Sequence, residues 1–294
     1  MRLLRAEFYF FAMTETAADP ITIALREDIG EGDITTEYFI PKGLRALGRI
    51  IARERAIVAG VQTAAEVFRR VNPKLNVEIL QPDGTALMGG ETVLEVRGAA
   101  SSILTAERVA LNFLQRLSGI ATLTGQFVEA IGKSRAKILD TRKTTPGLRA
   151  LEKAAVVAGG GANHRFNLND MALIKDNHLA AGPGFTGFAS AVQRLREQRP
   201  GIRIEVEADR LEQVRSFIEV DGIDVILLDN MEPSEMREAV AAGKNKVKFE
   251  ASGGINLKNV RRIAATGVDY ISVGALTHSA RAIDFSLELT HVGS

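Results

Sequence analysis

The chain has 294 residues, of which 46% are hydrophobic and 25% are charged, so it can bury the core of one large domain or of two ordinary ones. Its formal net charge of +1 leaves no excess of lysine and arginine for bulk binding to nucleic acid. The absence of cysteine excludes disulfides, thiolate metal sites and a cysteine nucleophile.

Residues 1–20 are predicted to form an N-terminal extension or arm. Glu7 interrupts the apolar part of this segment and no small-residue cleavage site follows it, which argues against a signal peptide. No apolar run in the sequence reaches the roughly 18 residues that a membrane span requires. We therefore expect a cytoplasmic protein.

Residues 21–118 are predicted to form a small α+β domain. After a short helix, residues 33–36 indicate a turn. Residues 45–59 and 75–97 contain β-branched runs separated by glycine- and proline-rich turns, and a helix over residues 62–70 lies between them. Two groups of strands around one helix are typical of such a domain.

The spacing of leucines predicts a helix over residues 101–117, which Ser118 and Gly119 are expected to end before a second helix over residues 121–131. Arg108 borders the buried stripe of the first helix. Its spacing alone favours a surface arginine that is paired with a nearby glutamate.

Residues 119–276 are predicted to form a second domain, in which short apolar strands alternate with helices. The strands are expected at residues 137–140, 172–175, 202–208, 225–229, 247–250 and 270–274. This alternation indicates a parallel sheet with right-handed crossovers, and six or more units favour a closed or nearly closed α/β barrel over an open doubly wound sheet. No GxGxxG opens the first crossover, which argues against a dinucleotide-binding fold.

Polar and mostly cationic side chains follow these strands or stand at neighbouring turns. They are Thr141, Arg142, Lys143, His164, Arg165 and Lys175. Any one of them alone would indicate a solvated turn. Because parallel α/β barrels bind ligands at the carboxyl ends of their strands, their recurrence predicts a positively charged mouth for an anionic ligand.

Two late loops between a strand and a helix contain small residues, Ser252-Gly253-Gly254 and Val273-Gly274-Ala275. Small residues allow backbone N–H groups to approach an anion, and two successive loops of this kind are typical of a phosphate site.

Glu207 and Asp229 end neighbouring strands. Such acids are often helix caps, but in a cationic site they suit ribose hydroxyls, a divalent metal or a developing carbocation.

These residues belong to an ordered set of segments that resembles the quinolinate phosphoribosyltransferase family, whose members are also called nicotinate-nucleotide pyrophosphorylase (carboxylating). The segments are EDIGEGDITT (27–36), AERVALN (106–112), LSGIAT (117–122), DTRKTTPG (140–147), GGGANHR (159–165), IKDNH (174–178), EVE (205–207), LDNM (228–231), EASGGI (250–255) and SVGALTH (272–278).

The resemblance implies an N-terminal open-faced α/β sandwich, an incomplete α/β (TIM-like) barrel that carries catalysis, and a C-terminal segment, residues 277–294, that packs back on the first domain. It also implies a reaction that requires Mg²⁺. Quinolinate and 5-phosphoribosyl-1-pyrophosphate would give nicotinate mononucleotide, pyrophosphate and CO₂ in the de novo synthesis of NAD.

The resemblance implies roles for individual residues as well. Quinolinate carboxylates would bind Arg142, His164, Arg165 and Lys175, while Lys143 and Lys175 would also face the pyrophosphate. Glu207 and Asp229 would lie near the ribose and the metal, with Mg²⁺ held mainly through substrate and water. The catalytic residues would therefore be Lys143, Lys175, Glu207 and Asp229.

The 5-phosphate would bind the loops Ser252–Gly254 and Val273–Ala275, with His278 nearby. Arg108 resembles an arginine that the neighbouring subunit inserts into the site. This assignment replaces the interpretation from spacing and implies a homodimer or a hexamer built of dimers.

Two alternatives remain at this point. A nicotinate phosphoribosyltransferase, or the quinolinate-transferase-like protein found with molybdate transport, would keep the phosphate loops, although the full set of cationic residues favours a substrate with two carboxylates. A sugar-phosphate-binding regulatory protein without catalysis is the alternative of another class. The presence of both Glu207 and Asp229 favours an enzyme.

Overall fold

The computed structural model describes residues 19–182 and 184–291. The predicted N-terminal arm lies outside these ranges except for residues 19 and 20. In chain order the elements are α1 (Pro20–Ile29), α2 (Ile34–Phe39), β1 (Arg45–Ala52), β2 (Ala56–Ile57), α3 (Val61–Val71), β3 (Asn76–Ile79), β4 (Ala86–Leu87), β5 (Thr92–Ala99), α4 (Ala100–Ile131), β6 (Lys137–Leu139), α5 (Arg149–Ala158), β7 (Met171–Ile174), α6 (Asp176–Ala181), α7 (Gly184–Gln198), β8 (Arg203–Ala208), α8 (Leu211–Ile218), β9 (Val225–Asp229), α9 (Pro233–Ala242), β10 (Lys248–Ser252), α10 (Val260–Ala264), β11 (Tyr270–Ser272), α11 (Ala275–His278) and β12 (Phe285–His291).

The N-terminal sheet is antiparallel and has the strand order β12-β1-β5-β3. Helices α3 and α4 pack against it, and the side chains of Ile50, Phe68 and Leu94 are fully buried in the shared hydrophobic core. Strand β12 pairs with β1 along its whole length, from Ala52 opposite Phe285 to Ala46 opposite His291. The C-terminal end of the chain thus completes the sheet of the N-terminal region.

The second sheet is parallel and has the strand order β6-β11-β10-β9-β8-β7. Strands β7 to β11 follow one another in sequence, and β6 joins the row beside β11. A parallel bridge between Leu139 and Ala162 extends it at the free edge of β6. This order confirms the predicted incomplete α/β barrel, and it excludes the doubly wound sheet because the strand sequence does not reverse at a switch point.

Helix α4 is one continuous helix of 32 residues, so the predicted break at Ser118 and Gly119 is wrong. Both residues are buried inside it. The Ser118 hydroxyl hydrogen-bonds the backbone of Ala59, and a Cβ atom on Gly119 would lie 2.0 Å from the carbonyl oxygen of Arg281. Gly119 therefore serves the close approach of the C-terminal segment, and α4 runs from the first sheet into the barrel.

Residues 33–36 are the start of a helix rather than a turn. The Asp33 carboxylate caps α2 by accepting a hydrogen bond from the backbone N–H of Thr36 at 2.9 Å. The same carboxylate accepts a bond from the Thr105 hydroxyl, which fixes α2 against α4. None of the helices in the described ranges is long and apolar enough to span a membrane.

Candidate active site

A cavity of about 760 Å³ opens at the carboxyl ends of the barrel strands. We call it the upper cavity. Its lining contains the predicted residues Thr141, Arg142, Lys143, His164, Arg165, Lys175, Glu207, Asp229, Ser252, Gly253, Gly254, Val273, Gly274, Ala275 and His278. Residues from distant positions in the sequence therefore converge on one space, because most of them end or follow strands of the same parallel sheet.

Two arginines, Arg142 and Arg165, line the upper cavity and form no ion pair with any residue that the structure describes. The Nε atom of Arg142 is buried and has no hydrogen-bond partner within residues 19–182 and 184–291. Burial and the nearby Arg142 together lower the pKa of the Arg165 guanidinium. Two guanidinium groups that repel each other in a partly dry site favour an anionic ligand, because its negative charge would offset both the burial and the repulsion.

The two glycine loops line the same cavity as these arginines. Gly253 and Gly254 have φ angles of 91° and 61°, and a Cβ atom on Gly253 would lie 2.1 Å from Oδ1 of Asn230. Gly274 approaches Lys143 and His278 so closely that its Cβ position is 3.1 Å from Lys143 Cδ. Residue 253 must be glycine because its φ angle is positive and because a Cβ atom would have no space. Without a side chain there, the loop backbone stays open to a ligand.

The two predicted acids are half-buried in the same lining. Lys175 Nζ donates to Glu207 Oε2 at 2.5 Å, and Asp229 accepts a hydrogen bond from the side-chain amide of Asn230 at 2.9 Å. Carboxylate oxygens of this kind are suitable ligands for Mg²⁺, which usually keeps several waters and binds through one or two carboxylates plus substrate oxygens.

His164 contacts two acids that the sequence motifs did not predict as site residues. Nε2 of His164 lies 3.2 Å from Glu205 Oε2 and 3.4 Å from Glu250 Oε1, and both carboxylates are buried. Glu205 stands two residues before Glu207 on β8, so both side chains point to the same face of the strand. That alternation was visible in the sequence, but the position of Glu250 depends on the strand order, in which only β9 separates β10 from β8.

The environment of His164 favours its charged form. Burial by itself lowers the pKa of His164, but the contacts with Glu205 and Glu250 outweigh it and raise the pKa to about 9. The backbone N–H of Arg165, which lies 2.8 Å from Nδ1, favours the neutral ring. Two nearby carboxylates outweigh this one backbone contact. Although the three ligand atoms lie within 4.8 Å of one another, a histidine held in its protonated form is a poor metal ligand.

The raised pKa of His164 predicts a pH-dependent contribution to stability. The contribution is complete below the ordinary pKa of 6.5 and is lost as the pH rises through about 9. The unfolding free energy of the wild type minus that of His164→Gln should therefore fall between pH 6.5 and 9, as measured by urea denaturation. The unfolding free energy of Glu205→Gln minus that of Glu205→Gln/His164→Gln should change less over the same pH range. A difference that stays constant over this range would contradict the assignment.

A buried ion pair holds the loops that carry Arg142 and His164. Lys153 of α5 donates to the Asp140 carboxylate and, at 3.0 Å, to the carbonyl of His164, while Asp140 also accepts the backbone N–H of His164 at 2.9 Å. Burial raises the pKa of Asp140 to about 6 and lowers the pKa of Lys153, and the pairing opposes both shifts. The network therefore fixes the end of β6 against the loop after the triple glycine.

We expect Lys153→Met to lower the unfolding free energy by about 3–5 kcal/mol, because it leaves the buried Asp140 carboxylate without its cation. Urea denaturation at pH 7 measures this loss. The double variant Asp140→Asn/Lys153→Met removes both charges and should recover at least half of it. A loss below about 1 kcal/mol for the single variant would contradict the buried-pair interpretation.

Arg108 lies on the exposed face of α4 and does not line the upper cavity of its own chain. It forms no ion pair with any residue in the part of the chain that the structure describes, although its charge opposes the rise that burial causes in the pKa of the neighbouring Glu107. Arg116, two turns further along α4, instead pairs with the buried Glu152 at 2.9 Å.

Comparison with known proteins identifies relatives over nearly the whole chain. The family profile described as "Quinolinate phosphoribosyl transferase, N-terminal domain" matches residues 33–118, and the profile for the C-terminal domain matches residues 120–288. The nicotinate-nucleotide pyrophosphorylase [carboxylating] of Mycobacterium leprae is 43% identical over 94% of this chain and 98% of its own length. A probable enzyme of the same name from Bacillus subtilis is 43% identical over 90% of each chain.

Solved structures agree with these relatives. The NadC structure from Streptococcus pyogenes has a TM-score of 0.87 and 39% identity, and the match covers 93% of this chain and 96% of that one. Human nicotinic acid phosphoribosyltransferase shares the fold alone, with a TM-score of 0.57 and 14% identity over 85% of this chain and 71% of that one. The family resemblance that the sequence motifs indicated is confirmed.

Proposed function

The chain belongs to the quinolinate phosphoribosyltransferase family, and we infer from this membership and the geometry of the upper cavity that it acts in the de novo synthesis of NAD. It transfers the phosphoribosyl group of 5-phosphoribosyl-1-pyrophosphate to quinolinate, with release of pyrophosphate and CO₂, to give nicotinate mononucleotide. The observation that carries this inference is that Arg142 and Arg165, neither of which forms an ion pair with a residue of the described ranges, share one cavity with two glycine loops.

We assign the two carboxylates of quinolinate to the arginine side of the upper cavity. A guanidinium binds a carboxylate through two parallel hydrogen bonds, and burial, together with Arg142, which is close enough to contribute, lowers the pKa of the Arg165 guanidinium. His164 adds positive charge beside them when Glu205 and Glu250 hold it protonated. Nicotinate has a single carboxylate and would leave part of this positive charge without a partner.

We assign the 5-phosphate to the loops at Gly253 and Gly274, and the pyrophosphate to Lys143 and Lys175. Departure of the pyrophosphate leaves positive charge on the ribose ring at C1. Glu207 and Asp229, which line the same cavity, would stabilise this charge. The pyridine nitrogen then forms a bond to C1. The positively charged, alkylated ring stabilises the electron pair that the neighbouring carboxylate leaves on its ring carbon when it departs as CO₂. That carbon then takes up a proton from solvent.

Glu207 and Asp229 also fit the expected requirement for Mg²⁺, since both offer oxygen ligands in a partly hydrated cavity. When bound, the ion would neutralise charge on the pyrophosphate group. Lys175 occupies one oxygen of Glu207 through the ion pair. We therefore propose that Lys175 shifts toward the pyrophosphate when substrate is bound, which frees that oxygen.

We propose that two subunits share each active site through Arg108. An apolar patch on α2 supports this arrangement, because Ile34, Tyr38 and Phe39 are 73%, 76% and 79% exposed. Thr105, three residues before Arg108 on α4, hydrogen-bonds the residue that caps α2. Large exposed apolar side chains beside an unpaired arginine are suited to a contact between subunits.

We also propose a cytoplasmic location, which the cysteine-free sequence fits.

The test is release of labelled CO₂ from quinolinate that carries the label in its 2-carboxylate. Release should require both quinolinate and 5-phosphoribosyl-1-pyrophosphate, and Asp229→Asn should reduce it strongly. Nicotinate, supplied in place of quinolinate, should be a much poorer acceptor. Equal or faster turnover of nicotinate would favour a nicotinate transferase, and binding without any turnover would favour a regulatory protein.

A further inference from the structure

A second cavity, of about 1060 Å³, opens at the opposite end of the barrel, where the strands begin. We call it the lower cavity. Its lining includes the first residues of β8, β10 and β11 and carries seven basic side chains but two carboxylates, Asp224 and Asp269. Because the whole chain has a net charge of +1, this concentration of positive charge is a local feature.

Three of the basic residues have structural partners. Arg196 pairs with Asp224 and donates to the carbonyls of Ile202 and Gly222. Arg135 donates to the carbonyl of Gly267 at 2.8 Å and lies 3.8 Å from Asp269. Lys246 pairs with Glu219 at 2.9 Å. Both carboxylates of the lining are therefore already engaged.

The other four, Arg203, Arg237, Lys244 and Lys248, form no ion pair with any residue of the described ranges. Tyr270 brings two of them together. The guanidinium of Arg203 lies 5.0 Å from the centre of its ring, Lys248 Nζ lies 5.4 Å from that centre, and Lys248 also donates to the phenol oxygen at 3.1 Å. Arg203 is on β8 and Tyr270 is on β11, so these side chains meet across the barrel opening.

We propose that the lower cavity binds a small molecule that carries two or more phosphoryl groups. Exposed lysines on a convex surface need no ligand, but here four unpaired cations face one concave space and repel one another. Guanidinium groups match phosphate oxygens through two hydrogen bonds. The volume is close to the range of small-ligand sites, about 300–1,000 Å³. The site is separate from the upper cavity and does not depend on the proposed reaction.

Calorimetric titration with inorganic triphosphate tests the proposal. The titrated protein is the full-length variant Arg142→Gln/Lys143→Gln, in which the upper cavity is weakened as a competing site. This variant should still bind triphosphate. Adding Arg203→Gln/Lys248→Gln should weaken that binding at least tenfold. Adding Lys42→Gln/Lys74→Gln, which removes the same charge from exposed positions of the N-terminal region, should change it less than twofold.

Thermal unfolding shows whether each variant is folded. Should Arg203→Gln/Lys248→Gln fail to fold, Arg237→Gln/Lys244→Gln removes the two other cations from exposed positions and should weaken binding by a similar factor. Equal binding by the lower-cavity and control variants would overturn the proposal. A second pair of results would also overturn it: triphosphate does not bind, and the lower-cavity variants change the oligomeric state measured by sedimentation. The lower cavity would then be a contact between copies of the protein.

Discussion

Arg108→Ala should reduce kcat/KM for quinolinate by roughly 30-fold or more, although Arg108 lies outside the upper cavity of its own chain. The loss of one partner from a buried charge contact between subunits costs about 2–5 kcal/mol, and every 1.4 kcal/mol is a factor of ten. The unfolding temperature of the variant should change little, because Arg108 forms no ion pair with the described residues of its own subunit. Steady-state kinetics and thermal unfolding measure the two effects.

A mixing experiment separates a shared site from a local effect. In a mixed dimer of Arg108→Ala with Lys175→Ala, one of the two sites has both an intact Lys175 and an intact Arg108 from its partner. Free exchange of subunits should then restore about a quarter of the wild-type activity. Arg142→Ala mixed with Lys175→Ala is the matched control, and it should restore nothing because both residues line the cavity of one chain. Stable mixed dimers without recovery would contradict the shared site.

Arg142→Lys and Arg165→Lys should each raise KM for quinolinate about 10- to 100-fold although the charge is kept. A charged hydrogen bond contributes about 1.5–3 kcal/mol, and lysine cannot reproduce the paired hydrogen bonds of a guanidinium. KM for 5-phosphoribosyl-1-pyrophosphate should change much less. Steady-state kinetics with each substrate varied in turn measures both values.

Arg261→Lys provides a control for the same chemical change, since Arg261 is exposed on α10 and does not line the upper cavity. Its kinetic constants should match those of the wild type. An unchanged KM for quinolinate in both Arg142→Lys and Arg165→Lys would remove these residues from the carboxylate site.

The barrel and its ligand-binding end could be predicted from the sequence because the rule is local. Short apolar strands alternate with helices, and the residue that follows each strand lies at the same edge of a parallel sheet. Thr141 to Lys143 and Lys175 follow their strands, Glu207 and Asp229 lie in the last two positions of theirs, and the structure places all of them in one lining. The prediction needed no knowledge of which strands are neighbours.

What the sequence did not reveal depends on contacts between distant segments. Gly119 was interpreted as a helix break, but its role is to admit the backbone at Arg281. Glu250 lies on β10 and His164 lies in the loop before β7, so their contact depends on tertiary structure and not on sequence spacing. Asp140 was recognised as the end of a strand, whereas its buried partner Lys153 is on a helix whose orientation follows from packing.

The cations of the lower cavity were missed for a different reason. Arg203 and Lys248 stand at the first positions of their strands, and the rule for ligand sites in barrels directs attention to the other end. In the sequence each is a single basic residue before an apolar run. Both side chains contact Tyr270. These contacts depend on the strand order β11-β10-β9-β8, which the sequence does not show.

The central claim is that the scattered cations and the two glycine loops form one binding site for both substrates. A crystal structure with quinolinate and an unreactive analogue of 5-phosphoribosyl-1-pyrophosphate tests it most directly. We expect the quinolinate carboxylates within hydrogen-bond distance of Arg142 and Arg165, and the 5-phosphate on the backbone at Gly253 and Gly274. Quinolinate bound away from both arginines, or a 5-phosphate bound outside the two loops, would contradict the account.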